Sequence, residues 1–132
     1  MKKYNCFSFL NSETNDRFRR LQGRDCGYAN GYVAIPPEHP LYEKSYDDAY
    51  DAGIEAHGAL TFSASMPEIL RNFDSECVEW LDGEIPEDYW VFGFDTIHGG
   101  DTLAFWNRKR CIEETKRLKE QFENWKNEHK RN

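Results

Sequence analysis

Apolar and polar positions alternate imperfectly from Tyr4 to Leu10, and that short period predicts a strand. The next segment, Asn11 to Asp25, is polar and basic with Asn-Ser-Glu-Thr-Asn at its head, and reads as a loop or a short helical turn. Residues 28–35 (Tyr-Ala-Asn-Gly-Tyr-Val-Ala-Ile) are aromatic and β-branched, and Pro36-Pro37 stops them, so a second strand is expected there. Glu38 to Glu55 has no period and reads as a long loop, a form that in a compact domain usually serves function. His57 to Ser63 reads as another core strand. Pro67 to Trp80 places Ile69, Leu70, Phe73, Cys77 and Trp80 near helical spacing before the Asp82-Gly83 turn. Asp88 to Asp95 is the strongest strand. Its continuous apolar character predicts burial on both faces, and Gly93 marks a close backbone approach.

The clearest element lies at the C-terminal end. Asn107 offers a helix cap, and Ile112, Thr115, Leu118, Phe122 and Trp125 recur at helical spacing along one stripe. Lysines and arginines occupy the opposite face and the last turn, where they complement the helix dipole. A helix over about 108–128 is therefore expected, its stripe facing a core rather than a coiled-coil partner. Without repeats or a linker, residues 1–132 read as one domain, a sheet region over about 1–101 followed by a helix within about 107–128. The fold class is α+β: a small, mainly antiparallel sheet packed by a long amphipathic C-terminal helix.

Composition narrows the function. The 132 residues carry a net charge of −7 and are 15% aromatic, too aromatic for a disordered acidic tail. No apolar run reaches the length of a membrane span, and the first residues lack the apolar core of a signal peptide, so a cytoplasmic protein is expected. Cys6, Cys26, Cys77 and Cys111 form no C-x-x-C pair, and free thiols are expected rather than disulfides or a four-cysteine zinc site. The charge is unevenly placed. Residues 1–37 sum to +3, residues 38–101 to −14 and residues 102–132 to +4. An acidic middle disfavours direct contact with nucleic acid, and the same field suits a cation or a basic protein.

Candidate chemistry falls in that acidic middle. His39, His57 and His98 each adjoin glycine or proline at the edge of an expected strand, whereas His129 lies near the terminus as a solvated side chain. The turn Asp95-Thr96-Ile97-His98-Gly99-Gly100-Asp101 follows the strongest strand, and paired glycines there allow backbone to approach a ligand or cradle an anion. His39, His57, His98, Asp95 and Asp101 would suffice for a divalent metal if they converge, although no short metal signature is present. Tyr42, Tyr46 and Tyr50 stand four apart among Asp47, Asp48 and Asp51, an arrangement able to cradle a base or a sugar or to pin a long loop. Nucleophile elbows, phosphate loops and dinucleotide fingerprints are absent from the sequence.

Several of these segments together resemble a family of small accessory proteins encoded by bacteriophages and prophages. The resemblance is carried by residues 31–42 (Gly-Tyr-Val-Ala-Ile-Pro-Pro-Glu-His-Pro-Leu-Tyr), Tyr46-Asp47-Asp48, and residues 57–63 (His-Gly-Ala-Leu-Thr-Phe-Ser). It continues through residues 89–101 (Tyr-Trp-Val-Phe-Gly-Phe-Asp-Thr-Ile-His-Gly-Gly-Asp) and the C-terminal helix, covering about residues 26–125. Ala59 departs from the pattern, which has glycine there. The resemblance implies a bacterial host cell but no assigned activity and no known catalytic motif. Action against host defences is an expectation by analogy with other small phage accessory proteins.

Three functions follow as expectations. The first is binding of a small polar ligand, such as a nucleotide-derived defence signal, by His39, Tyr42, Asp47, Asp48, His57, Asp95, His98 and Asp101. The second is a metal-dependent hydrolase using the three histidines, Asp95 and Asp101. The third is an acidic decoy that masks a basic, nucleic-acid-binding host protein, in the manner of anti-CRISPR or anti-restriction proteins. A binding protein is favoured over an enzyme. Pairing of two copies through the basic C-terminal helix is a further expectation.

Overall fold

The computed structural model describes residues 3–130, with side chains through Trp125, so the His129 side chain lies outside the described residues. Five strands form one antiparallel sheet: β1 (Asn5–Leu10), β2 (Ala29–Ile35), β3 (Phe62–Ser65), β4 (Val78–Trp80) and β5 (Trp90–Phe94), in the order β3-β5-β2-β1-β4. Four helices accompany it: α1 (Ser12–Gln22), α2 (Tyr46–Asp51), α3 (Met66–Asn72) and α4 (Arg108–Lys130). The architecture is the expected α+β one, with α4 packed on the sheet. No helix among the described residues is long and apolar enough to cross a membrane.

Strand alternation sends side chains to two covered faces. Cys6, Val33, Ile35, Phe92 and Phe94 meet Leu118 and Phe122 of α4 on one face. Phe7, Tyr32, Ala34 and Val91 meet Met66 and Ile69 of α3 on the other. β5 contributes to both, so its uninterrupted apolar run reflects burial on either side, as expected. The close approach at Gly93 is also present. A Cβ there would stand 2.3 Å from the Tyr32 ring, so only glycine lets that ring lie against β5.

α4 starts where the sequence places it, the Asn107 side chain accepting from the Arg110 amide at 3.0 Å. Thr115, Leu118 and Phe122 of its stripe are buried, and Trp125 packs at the edge of the core. All four cysteines are free. Cys6 lies under α4, its sulfur 3.1 Å from an Asp82 carboxylate that also accepts from Lys119, and burial pushes this thiol up to about 12.

Four segments differ from expectation. Residues 11–25 contain a full helix, α1, closed by Gly23 in the left-handed conformation. It lacks an apolar stripe because its buried anchor is polar: Asn15 donates to the Gly27 carbonyl at 3.1 Å and accepts from the Cys26 amide at 2.8 Å. The 38–55 loop includes α2, nucleated by a reciprocal cap between Ser45 and Asp48. The 57–63 strand begins only at Phe62, since Gly58 and Ala59 both adopt positive φ and turn the chain. The 67–80 helix stops at Asn72. Asp74 then caps a single 3-10 turn at Ser75–Cys77, and the chain extends as β4.

Candidate functional site

The site is built where β5 runs out. Thr96 is buried at its root, donating from Oγ1 to the Ala29 carbonyl at 2.8 Å and from its amide to the Asn30 side chain at 3.1 Å. Asp95 accepts from the Ile97 amide at 3.1 Å and the Thr61 hydroxyl at 3.0 Å, which fixes the start of the turn. The chain then reverses through His98-Gly99-Gly100, and the Asp101 amide closes the turn on the His98 carbonyl at 3.0 Å.

Asp101 is 7% exposed and folds back across that turn. Its Oδ2 accepts from the His98 amide at 2.9 Å and lies 3.1 Å from His98 Nδ1, while its Oδ1 lies 2.8 Å from His57 Nε2. One nearly buried carboxylate therefore orients two imidazoles brought from different parts of the chain. A carboxylate oxygen accepts, so His57 donates from Nε2 to Asp101. His98 also places Nε2 3.4 Å from Asp95 Oδ1.

His57 is fixed from three sides. Its amide donates to Glu114 Oε2 of α4 at 2.8 Å, and its ring lies 4.2 Å from the Trp106 ring and 5.3 Å from that of His98. Burial pushes the Glu114 carboxyl up, but the Arg117 guanidinium and the His57 amide outweigh it and hold the group below its usual range. Next to His57, a Cβ on Gly58 would stand 2.3 Å from the His98 ring, so glycine is required by space as well as by its φ of 67°. Ala59 follows at φ 69°, a region that disfavours a side chain. Ala59→Gly is expected to stabilise the protein by about 1 kcal/mol. The measurement is thermal unfolding, and an unchanged or lower Tm would show that the turn is not strained at this position.

Between this turn and α4 opens a cleft of about 490 Å³, lined by Tyr50, His57, Ala59, Trp106, Glu114 and Arg117 among others. It offers aromatic surface, an imidazole and a guanidinium together.

The sequence-expected residues separate into those that meet here and those that do not. His57, His98 and Asp101 converge, with one ligand atom from each lying within 4.8 Å of the others, so this group could hold a metal ion. Asp95 touches it through His98. His39 does not join them. It is 2% exposed and stacked against Trp125 with ring centroids 5.6 Å apart, its Nε2 donating to the Phe122 carbonyl at 2.9 Å and its Nδ1 accepting from the Leu41 amide at 3.0 Å. Both nitrogens are engaged, so His39 is a packing residue beneath α4 rather than a ligand. Tyr42 ties its loop down by donating to the Asp88 carbonyl at 2.7 Å. Asp48 caps α2, and Asp47 is exposed in its first turn. From that loop Tyr50 and Glu55 reach the cleft. In the sequence Tyr50 is one of the loop tyrosines, while Trp106, Glu114 and Arg117 give no signal beyond an apolar residue before a helix and an ordinary solvated helix face.

The likeness to phage-encoded accessory proteins rests on the sequence segments alone. Comparison of the chain with protein-family models, curated proteins and solved structures finds no match.

Proposed function

We propose that the protein is a binding module for a small polar ligand, seated in the cleft between the His57 turn and α4. The observation that carries this reading is His57 itself, oriented from behind by the nearly buried Asp101 and lining the cleft with Trp106 and Arg117. A cleft of about 490 Å³ is the size that takes a small molecule. Trp106 and Tyr50 supply faces for a planar ring, and Arg117 and His57 supply groups for an anionic or hydrogen-bonding tail. That combination suits a nucleotide-derived compound, and with the phage resemblance it suggests sequestration of a host defence signal.

Isothermal titration of the full chain with a panel of cyclic dinucleotides, cyclic mononucleotides and nucleoside diphosphates tests it. At least one member is expected to bind, with His57→Ala and Arg117→Ala each weakening it about tenfold or more, close to 1.4 kcal/mol. Absence of heat and of any melting shift across the panel would end the nucleotide reading.

A second reading rests on the convergence of two imidazoles and a carboxylate. A divalent ion there would displace the shared protons, and its open position would activate water, as a hydrolase requires. Metal analysis of protein purified without a histidine tag decides this. The reading fails if no stoichiometric metal is found and neither zinc nor EDTA moves the melting temperature.

A further inference from the structure

The two faces of the sheet are covered unequally. The long α4 packs along one face, whereas α3, with 7 residues, is the principal cover of the other. An antiparallel sheet that is apolar on both sides needs both sides shielded from water. Past the end of α3 the shielding is incomplete. A groove of about 590 Å³ remains between α3 and residues 83–87, lined by Met66, Leu70, Trp80, Ile85 and the carboxylates Glu84 and Glu87. Leu70 is 56% exposed and Trp80 41% exposed, although Trp80 continues the apolar face with its ring 5.1 Å from that of Phe7. This groove lies on the opposite side of the sheet from the His57 cleft, so it stands independently of the ligand-binding reading.

Charge indicates what would cover it. Between Arg71 and Arg108 the chain contains no lysine or arginine. Glu79 and Asp82 are matched by Arg108 and Lys119 of α4, but Glu84 and Glu87 are exposed and have no cationic partner among the described residues. Of the cations on this side, Lys3 is held on the Asp82 carbonyl and Arg71 follows Leu70 on α3. An apolar floor with an acidic lip is complementary to a segment that alternates large apolar and cationic side chains. Arginine fits best, because its guanidinium can pair with a carboxylate and also lie over an exposed indole.

We propose that this groove docks an arginine-rich, apolar-anchored segment of a partner protein, with an apolar side chain between Leu70 and Trp80 and a guanidinium on Glu84 or Glu87. This locates the recognition of a basic protein on a defined groove rather than on the diffuse acidity of residues 38–101.

Fluorescence anisotropy with a labelled synthetic peptide of alternating arginine and leucine tests it, beside a counterpart in which glutamate replaces arginine. The arginine peptide is expected to bind the full chain and the glutamate peptide not. Leu70→Lys, at a position exposed enough to leave folding intact, and the pair Glu84→Lys with Glu87→Lys should each weaken binding about tenfold or more. Reversal at Asp47 and Asp51, which are exposed and do not line the groove, should leave it within about twofold, a change near 0.4 kcal/mol. Equal binding of both peptides overturns the proposal. So does an equal loss on reversal at Asp47 and Asp51, which would mean a general field. Self-association in sedimentation that Leu70→Lys abolishes would also overturn it, by assigning the groove to a second copy.

Discussion

Replacing Phe122 by alanine is expected to destabilise the protein by about 3–5 kcal/mol. The ring is fully buried and stacked on Phe92, with centroids 5.1 Å apart and planes 17° apart. It also meets the His39 ring edge-on at 5.8 Å, and the backbone carbonyl of the same residue accepts the His39 Nε2 proton. Truncation removes the transfer energy of the ring and leaves a cavity. The flanking aromatics cannot close it readily, because Phe92 is fixed in the centre of the sheet and His39 by bonds at both nitrogens. Against the 5–15 kcal/mol that a domain of this kind typically has in total, such a loss lowers Tm by about 10 °C or more. Phe122→Leu keeps most of the volume and should cost about 1.5 kcal/mol or less. Urea unfolding of the two variants measures both values. A loss below about 1 kcal/mol for alanine would mean that α4 is not held through this contact.

The same residues show how far sequence reached. α4 was legible because its partners in the core are its own apolar stripe and because Asn107 caps it, both local properties. β2 and β5 were legible for a similar reason, since strands buried on both faces carry few polar interruptions. α1 was not legible, because what holds it is one polar side chain, Asn15, reaching the backbone of Cys26 and Gly27 across a loop. Periodicity registers apolar burial and is blind to a helix tethered by hydrogen bonds. The 67–80 segment misled in the opposite way. Phe73, Cys77 and Trp80 fall at helical spacing by coincidence, and Asp74 breaks the helix by capping a new turn.

At the site, the His-Gly-Gly-Asp turn announced itself through residues close in sequence, and His57 through its glycine neighbour. What the histidines meet is a tertiary matter. His39 and His57 look alike as strings, each beside a turn-forming residue. Only the packing of α4 places one against Phe122 and Trp125 and the other against Trp106 and Glu114. Arg117 belongs to the cleft for the same reason: half-exposed and paired with Glu114, it lies on the helix face that borders the His57 loop.

Asp101→Ala is the second large effect, and it separates folding from binding. The carboxylate is nearly buried and serves the His98 amide and both imidazoles. Removing it leaves those donors without their partner, and each group that stays unsatisfied costs about 1–3 kcal/mol. The contributions do not add in full, because His57 and His98 can turn toward solvent, so about 3 kcal/mol is expected overall. Asp101→Asn should cost less. Its carbonyl can still accept the His98 amide, but its NH2 then faces the proton on His57 Nε2, so that ring must change tautomer or turn away. Both substitutions therefore release His57 from its orientation, and any ligand held in the cleft should bind about tenfold or more weakly in each. His57→Ala provides the contrast. The side chain is 27% exposed, so its removal should lower stability less than Asp101→Ala while weakening cleft binding at least as much. Thermal unfolding and titration calorimetry on the three variants read the two effects separately. If binding falls only in proportion to stability, Asp101 merely supports the turn. If Asp101→Asn stays well folded and still loses binding, the carboxylate acts through the orientation of His57.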